Sequence, residues 1–317
     1  MKIVFAGTPD FAVLPLKNII DAGFDVVGVV TQADKPQGRK GVLTPPPVKV
    51  VALEKGIPVL QPIKIRDEID ALRALGGDVM VTCAYGQLLT QSVLDCFEKG
   101  VWNIHAGLLP AYRGASPIQS CILNGETETG VCVMKTELGL DTGDVLDCQK
   151  TGILETETAG ELSARLSQIG AEMIIGCLRS IEKGDYVLTP QGETGVNVVR
   201  KIDKEHARID FHKTVAEVVN LVRAMNPAPI AYTQAGDLKI NVYSAEKAEL
   251  SAEENVAFQD AVCGEILFDK PKRGLVVKCK DGAVRLLRVQ AAGGKEMSGG
   301  DFLNGRKAQK GQILYVE

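Results

Sequence analysis

The sequence predicts an α/β fold: a Rossmann-like domain with a mostly parallel sheet, followed by a small antiparallel β-barrel that is OB-like. Up to about residue 185, strand-like and helix-like segments alternate, which is typical of βα units in a parallel sheet. Beyond that point the apolar runs are short and separated by glycine-containing turns, as in a small barrel. A length of 317 residues supports two domains. We expect residues 1–200 to form the first and residues 201–317 the second.

The N-terminal segment predicts a strand followed by a helix. Residues 2–7, KIVFAG, are an apolar run of strand length. Thr8 is expected to cap the helix and Pro9 to occupy its first position, where a missing N–H costs nothing. The helix should end at Gly23. Residues 24–31, FDVVGVVT, predict a second strand, apolar enough to be covered on both faces.

The remaining elements follow from the same patterns. Strands are predicted at residues 78–84, 100–106 and 129–136, and a long helix at residues 160–184. Residues 189–211 have no clear period, which indicates a linker. After an amphipathic helix from Thr214 to Met225, the barrel strands are expected in AYTQAG, LKINVYSAE, CGEILFDK, GLVVKCKDG, AVRLLRVQAAGG and GQILYVE.

Composition excludes several classes of protein. No apolar run reaches about 18 residues and the N-terminus lacks the pattern of a signal peptide, so we expect a cytoplasmic protein with no membrane partner. The eight cysteines form no CxxC pair, and reduced thiols are expected. Three scattered histidines argue against a metal site. The first strand–helix turn, AGTPDFA, lacks the glycine fingerprint of a nicotinamide dehydrogenase.

Charge is unevenly distributed along the chain. Residues 1–199 carry 17 basic and 24 acidic side chains, whereas residues 270–317 carry 11 basic and 4 acidic ones. A basic C-terminal part on an acidic body favours a polyanionic partner that binds to that part. The alternative from charge alone is a solvated face.

Two segments carry the candidate chemistry. Asn103 and His105 stand two apart at the end of a predicted strand, so both side chains face one side, where an amide donor and an imidazole suit a developing oxyanion. The alternative is a buried structural histidine. The turn 138–144, LGLDTGD, contains Asp141 and Asp144, and a carboxylate there can orient His105. The alternative is an Asx turn, which Asp144 fits well.

These segments resemble a known family. NIHAGLLPAYRGASPIQ, followed by LGLDTGDVL, is similar to the signature of the folate-dependent formyltransferases, and the resemblance extends over essentially the whole chain, including MKIVFAGTPDFAVLPL, VVTQADKPQGRK, CAYGQLL and MSGGDFLNGRKAQKGQ. It implies that Asn103, His105 and Asp141 form the catalytic trio, with His105 protonated to stabilise the formyl oxygen. The chain departs from the expected pattern at Gly107, where serine is usual.

The resemblance also implies the ligands. The co-substrate is expected to be 10-formyltetrahydrofolate, with no metal. Its binding residues are expected to be Tyr85, Gly86, Gln87, Leu88, Gly107, Leu108, Leu109, Pro110 and Leu138. For Leu88, Leu108 and Leu109 the alternative is ordinary core packing.

The implied acceptor is methionine attached to initiator tRNA, with no obligate protein partner. The residues expected to contact tRNA lie in the loop 33–41 and near the C-terminus: Lys35, Arg39, Lys40, Arg306 and Lys307. The trio cannot distinguish this acceptor from a sugar-nucleotide amine, or from water in a hydrolase. A protein of another class, an RNA-binding protein without activity, leaves the trio unexplained.

Overall fold

The computed structural model describes residues 1–38, 41–268, 270–305 and 308–315, without the side chains of residues 37 and 257. The chain divides into two compact units. The first unit comprises Met1–Pro117, Glu128–Gly152 and Ser163–Arg200, and the second comprises Ile118–Thr127, Ile153–Leu162 and Lys201–Glu317.

The strands in chain order are β1 Lys2–Gly7, β2 Asp25–Val30, β3 Lys35–Gln37, β4 Val42–Thr44, β5 Val59–Leu60, β6 Val79–Cys83, β7 Val101–His105, β8 Arg113–Gly114, β9 Glu128–Lys135, β10 Val145–Gly152, β11 Val198–Val199, β12 Ala231–Ala235, β13 Leu238–Lys247, β14 Leu275–Lys278, β15 Ala283–Ala291, β16 Met297–Ser298 and β17 Leu314–Tyr315.

The α-helices are α1 Val13–Asp21, α2 Pro47–Glu54, α3 Ile69–Ala74, α4 Gln91–Leu94, α5 Pro117–Leu123, α6 Ala159–Lys183, α7 Val215–Ala224, α8 Ala252–Asp260 and α9 Gly299–Asn304. Short 3-10 helices occur at Asp10–Ala12, Ile65–Asp67, Glu205–Ala207 and Pro271–Arg273. In the described ranges, no helix combines the length and the apolar character needed to cross a membrane.

The first unit contains a seven-stranded sheet in the order β10-β9-β7-β6-β1-β2-β5. All neighbours from β7 to β5 are parallel, whereas β9 is antiparallel to both β7 and β10. On one face, Gly170 of α6 lies so close to β7 and β9 that an added Cβ would stand 2.7 Å from Ile104 Cγ2. Because side chains alternate along a strand, Asn103 and His105 point to the opposite face.

The start of the first helix differs from its prediction. The residue that precedes its first turn is Pro9, and no side chain caps it. The hydroxyl of Thr8 instead donates to the carbonyl of Tyr85 at 3.1 Å and accepts from the N–H of Gln32 at 3.4 Å. Thr8 therefore links the ends of three neighbouring strands, and the predicted cap was wrong.

The expectation of reduced thiols is wrong for one pair. Cys132 and Cys148 are directly paired across β9 and β10, with Cα atoms 4.2 Å apart, and form a disulfide. They lie 16 positions apart in the sequence. Only the strand register brings them together, and no local spacing in the sequence reveals it.

The second unit contains an antiparallel sheet in the order β14-β15-β13-β12-β17, with β16 paired to β15. The segment 264–267 joins its two edges. The N–H of Ile266 donates to Gln312 and its carbonyl accepts from Gly311, while Leu314 donates to Gly264. At the other edge, Leu267 donates to Val276 of β14. The sheet therefore curls into a small barrel, which confirms the predicted fold class. Thr214 and Glu217 form a capping box at the start of α7, close to the predicted boundary.

Candidate active site

Asn103 and His105 lie near the middle of the first sheet, on β7 between β6 and β9. Thr82 of β6 is the register partner of Asn103, and its hydroxyl donates to Asn103 Oδ1 at 3.0 Å. This bond fixes the amide so that Nδ2 points to Asp141 Oδ1, 3.4 Å away. The prediction from sequence missed Thr82, because its role depends on the pairing of two strands.

His105 is almost completely buried, with 4% of its surface exposed. Its Nε2 lies 3.0 Å from the carbonyl oxygen of Tyr112, and its Nδ1 lies 3.6 Å from Asp141 Oδ2. Both neighbours are hydrogen-bond acceptors. A protonated ring can therefore donate to the Tyr112 carbonyl and form an ion pair with Asp141, whereas a neutral ring carries no charge to pair with the carboxylate.

Burial lowers the pKa of His105, while the charge of Asp141 and the hydrogen bond to Tyr112 oppose this effect. The net direction is downward from the ordinary value of about 6.5. This direction favours the neutral form of the ring. We accordingly replace the expectation of a ring charged at rest with that of a ring that accepts a proton during a reaction.

Asp141 lies in the loop after β9, which folds back towards Asn103 and His105. Since β9 runs antiparallel to β7, the loop after β9 leaves the sheet at the edge away from the end of β7 and must fold back. Asp141 has a φ of 51° in this loop, and its Oδ2 accepts from the N–H of Gly114 at 2.8 Å. An added Cβ on Gly143 would lie 1.9 Å from the carbonyl oxygen of Lys135, so only glycine fits there.

The other acid of this turn, Asp144, accepts a backbone bond from Lys135 through its carbonyl oxygen. Among the described residues it forms no side-chain hydrogen bond, so the Asx-turn interpretation finds no support.

The residues expected to bind folate fall into two groups. Tyr85 is buried in the core, and Gln87 uses its amide on the backbone of residues 62–65. The Tyr85 ring is therefore enclosed by protein, and the Gln87 amide is already hydrogen-bonded. Leu88 and Leu138, by contrast, are 76% and 65% exposed. Gly86 is also exposed, with a φ of 86°.

The segment 107–110 lies directly against the site. An added Cβ on Gly107 would stand 3.0 Å from His105 Nε2. The side chain of Leu108 approaches Gly130 of β9, where an added Cβ would lie 2.6 Å from Leu108 Cδ2. Leu109 and Pro110 are partly buried. Glycine at position 107 thus leaves room for the imidazole ring.

Of the residues expected to contact tRNA, Lys35 is exposed on β3. Arg39, Lys40, Arg306 and Lys307 lie outside the described residues. Within the described ranges, no group of three or more histidine, cysteine, aspartate or glutamate side chains could hold a metal ion.

The arrangement of Asn103, His105 and Asp141 suits the transfer of an acyl group to a nitrogen. An oriented amide N–H can stabilise an oxyanion, and an imidazole backed by a carboxylate can accept and return a proton. Residues 1–178 match the family described as formyl transferase, and residues 201–307 match the formyl transferase C-terminal domain. The chain belongs to the formyltransferase family.

The formyltransferase resembles relatives of known name over its full length. It is 43% identical over 318 residues to the methionyl-tRNA formyltransferase of Neisseria meningitidis serogroup A, which covers 99% of this chain and 100% of the relative. It is 40% identical over 319 residues to the methionyl-tRNA formyltransferase of Coxiella burnetii, with 99% of each chain covered.

Solved structures support the fold of the formyltransferase. The N-formyltransferase of Helicobacter canadensis, in complex with folinic acid and dTDP-3-aminofucose, has a TM-score of 0.68 and 18% identity over 90% of this chain and 98% of that one. HypX of Aquifex aeolicus in complex with tetrahydrofolic acid has a TM-score of 0.64 and 17% identity over 100% of this chain and 51% of that one. At these identities the likeness concerns the fold alone.

Proposed function

We propose that this formyltransferase transfers the formyl group of 10-formyltetrahydrofolate to the amino group of methionine on initiator tRNA, in the cytoplasm. The observation that carries the proposal is the 43% identity over 99% of the chain to a methionyl-tRNA formyltransferase. The product is N-formylmethionyl-tRNA, which serves translation initiation.

Asn103 is the proposed oxyanion donor. Thr82 holds its carbonyl oxygen, which leaves the Nδ2 group to face the reacting atoms beside Asp141. As the amine adds to the formyl carbon, negative charge grows on the formyl oxygen, and Asn103 donates to it. Loss of one such donor typically lowers kcat by about 10²–10³-fold.

His105 and Asp141 are the proposed proton carriers. The neutral ring accepts the proton that the attacking amine must lose. The resulting imidazolium donates through Nε2 to the Tyr112 carbonyl at 3.0 Å, and the Asp141 carboxylate, 3.6 Å from Nδ1, stabilises its charge. The same proton then passes to the departing folate nitrogen, so that atoms and charge balance.

The residues proposed to bind folate carry groups that suit it. The co-substrate supplies the formyl group on N10. The exposed side chains of Leu88 and Leu138 offer apolar surface to a flat ring, and backbone groups of Gly86 and residues 107–110 offer polar contacts.

The two predicted domains have separate proposed roles. Residues 1–200 contain the trio and the proposed folate site, and residues 201–317 are proposed to bind tRNA. The excess of basic residues in 270–317 supports the second role. Lys35, Arg39 and Lys40 are proposed to contact the acceptor end.

The acceptor is tested by transfer of labelled formyl from 10-formyltetrahydrofolate to initiator methionyl-tRNA, elongator methionyl-tRNA and free methionine. We expect strong preference for the initiator. If none of the three accepts formyl while folate binds, the acceptor is a sugar-nucleotide amine or water. Absence of folate binding would favour an RNA-binding protein instead.

The trio is tested with His105→Ala and Asn103→Ala. Both should lower kcat by at least about 10²-fold without loss of folded structure by circular dichroism. His212→Ala is the matched control, because His212 is an exposed histidine whose described side-chain bond is to Asp210. Near-normal activity of His105→Ala would remove His105 from the proposed mechanism.

A further inference from the structure

Residues 189–199 lie between the two family matches, which end at residue 178 and begin at residue 201. The sequence predicts a linker here, and the segment has little regular structure apart from strand β11. Strand β11 pairs in parallel with β8, so that Val198 and Val199 lie beside Arg113 and Gly114. Gly114 is the residue whose N–H donates to the Asp141 carboxylate.

Gln191 forms four hydrogen bonds around the proposed site. Its Nε2 donates to the carbonyl oxygens of Asp141 at 2.9 Å and Gly143 at 2.7 Å. Its Oε1 accepts from Nε and Nη2 of Arg113 at 3.0 and 2.7 Å. One amide therefore connects the backbone of the Asp141 turn to the residue next to Gly114.

This connection matters because Asp141 adopts a left-handed backbone conformation. Asp141 has a positive φ, which costs of order 1 kcal/mol or more for a residue other than glycine. The surrounding structure must hold such a residue in place. Gln191 binds the carbonyl of Asp141 itself, and Gly114 binds its carboxylate.

Asn197 holds Tyr112, whose carbonyl oxygen is the other neighbour of the His105 ring. Its Oδ1 accepts from the N–H of Tyr112, and its carbonyl oxygen accepts from the N–H of Arg113 at 3.0 Å. The carbonyl of Tyr112 in turn lies 3.0 Å from His105 Nε2. Both residues that present an oxygen to His105 are therefore held through their backbone by side chains of residues 189–199.

We propose that residues 189–199 are part of the catalytic centre, in which Gln191 and Asn197 act as positioning residues that hold Asp141 and Tyr112 around His105. The inference rests on the proposed catalytic trio. It assigns a role in the reaction to a segment that neither family match covers.

The length-matched variant Gln191→Met tests the proposal. Methionine keeps the length of the side chain but removes the two hydrogen bonds that Gln191 donates and the two that it accepts. The Asp141 turn is then free to shift. A displacement of about 1 Å can lower a rate by 10²-fold, so we expect kcat to fall by about 10–100-fold. KM for both substrates should change by less than about threefold. Gln168→Met is the matched control, since Gln168 lies on the exposed side of α6 and bonds only to Glu172 among the described residues.

A second measurement does not depend on activity. The chain has three histidines, so the imidazole titration of His105 can be resolved by NMR and assigned with His105→Ala. Asp141 is the charged group that raises the pKa of His105 among the described residues. If Asp141 moves away from His105 in Gln191→Met, the midpoint of the His105 titration should fall by roughly 0.5–1 pH unit. In Gln168→Met, His105 should titrate as in the wild type.

The outcomes separate the two proposals. An unchanged kcat together with an unchanged His105 midpoint in Gln191→Met would overturn the positioning role. A lower Tm with both readouts unchanged would mean a purely structural role, and would overturn it too. If Gln191→Met does not fold, Asn197→Ala tests the same role through Tyr112. If the wild type transfers formyl to no acceptor, the proposed function fails, yet the NMR result still decides whether the segment holds Asp141.

Discussion

His105 combines burial with two oxygen acceptors, and this combination determines how activity should depend on pH. Burial lowers the pKa of the ring, so in our mechanism the active, neutral form predominates down to a pH below about 6.5. As the pH falls through the lowered pKa, the ring becomes protonated in the resting enzyme and kcat should fall. The kcat–pH profile of formyl transfer measures the midpoint directly.

The variant Asp141→Asn tests whether the neutral or the protonated form of His105 is active. The charge of Asp141 raises the pKa of His105, so its removal should move the acid limb to still lower pH, in addition to lowering kcat. A limb that moved to higher pH, or a kcat that rose as the pH fell below 6.5, would mean that the protonated ring is the active form.

The hydroxyl of Thr82 has two acceptors, Asn103 Oδ1 at 3.0 Å and the carbonyl oxygen of Trp102 at 3.4 Å, and the bond to Asn103 is the one that concerns the site. Its hydroxyl accounts for the orientation of the Asn103 amide, and Thr82→Val removes that bond while preserving the side-chain shape. We predict a fall in kcat of about tenfold, less than for Asn103→Ala, because the donor remains but is no longer fixed. Steady-state kinetics with both substrates measures it.

Thr82→Ser is the control for that prediction. It retains the hydroxyl and loses only a methyl group, so it should recover most of the activity. If the serine and valine variants were equally impaired, packing rather than the hydrogen bond would explain the effect.

At the scale of elements, the hairpin formed by β3 and β4 has a polar anchor at its base. Lys49 of α2 donates to both carboxylate oxygens of Asp34 at 2.8 and 2.9 Å and to Gln61 at 2.8 Å. Gln61 donates to Asp34 at 2.7 Å and to the carbonyl of Gln32 at 2.8 Å. These hydrogen bonds hold Asp34, which immediately precedes β3.

Because the hairpin includes the loop proposed to meet the acceptor end, Lys49→Met should weaken the use of tRNA specifically. We expect KM for methionyl-tRNA to rise about three- to tenfold, with KM for folate unchanged. Lys55→Met carries the same change of charge at the end of α2, where Lys55 lies 4.0 Å from Asp21 and is half exposed. Equal effects of the two variants would mean that only the charge matters.

The elements also show what the sequence can and cannot predict. Strands and helices with a strong pattern, such as β7, α6 and α7, were predicted within one or two residues, because local periodicity reports which face is buried. The roles of Thr8, Thr82 and Gln191 were missed. Their partners lie on other strands or loops, and no local pattern encodes a contact over tens of residues.

The site illustrates the same limit. The spacing of Asn103 and His105 predicts a shared face, and the structure brings Asp141 to them. Sequence periodicity does not predict that β9 is antiparallel and that its loop folds back. It also cannot predict the burial of His105, which lowers the pKa of the ring.

At the scale of the whole molecule, the separation of charge should be visible in the dependence on salt. Each phosphate contact releases counterions, so affinity falls with a log–log slope of about −0.7 to −0.9 per contact. With basic residues in excess over 270–317, KM for initiator methionyl-tRNA should rise at least about tenfold between 50 and 200 mM KCl. KM for folate should change by less than about twofold.

Replacement of Arg306 and Lys307 by glutamine should reduce the slope by about 1–2, whereas Lys17→Gln, an exposed change in the first unit, should not. A tRNA affinity that is the same at low and high salt would contradict the electrostatic role of the C-terminal part, while leaving the chemistry at Asn103, His105 and Asp141 untouched.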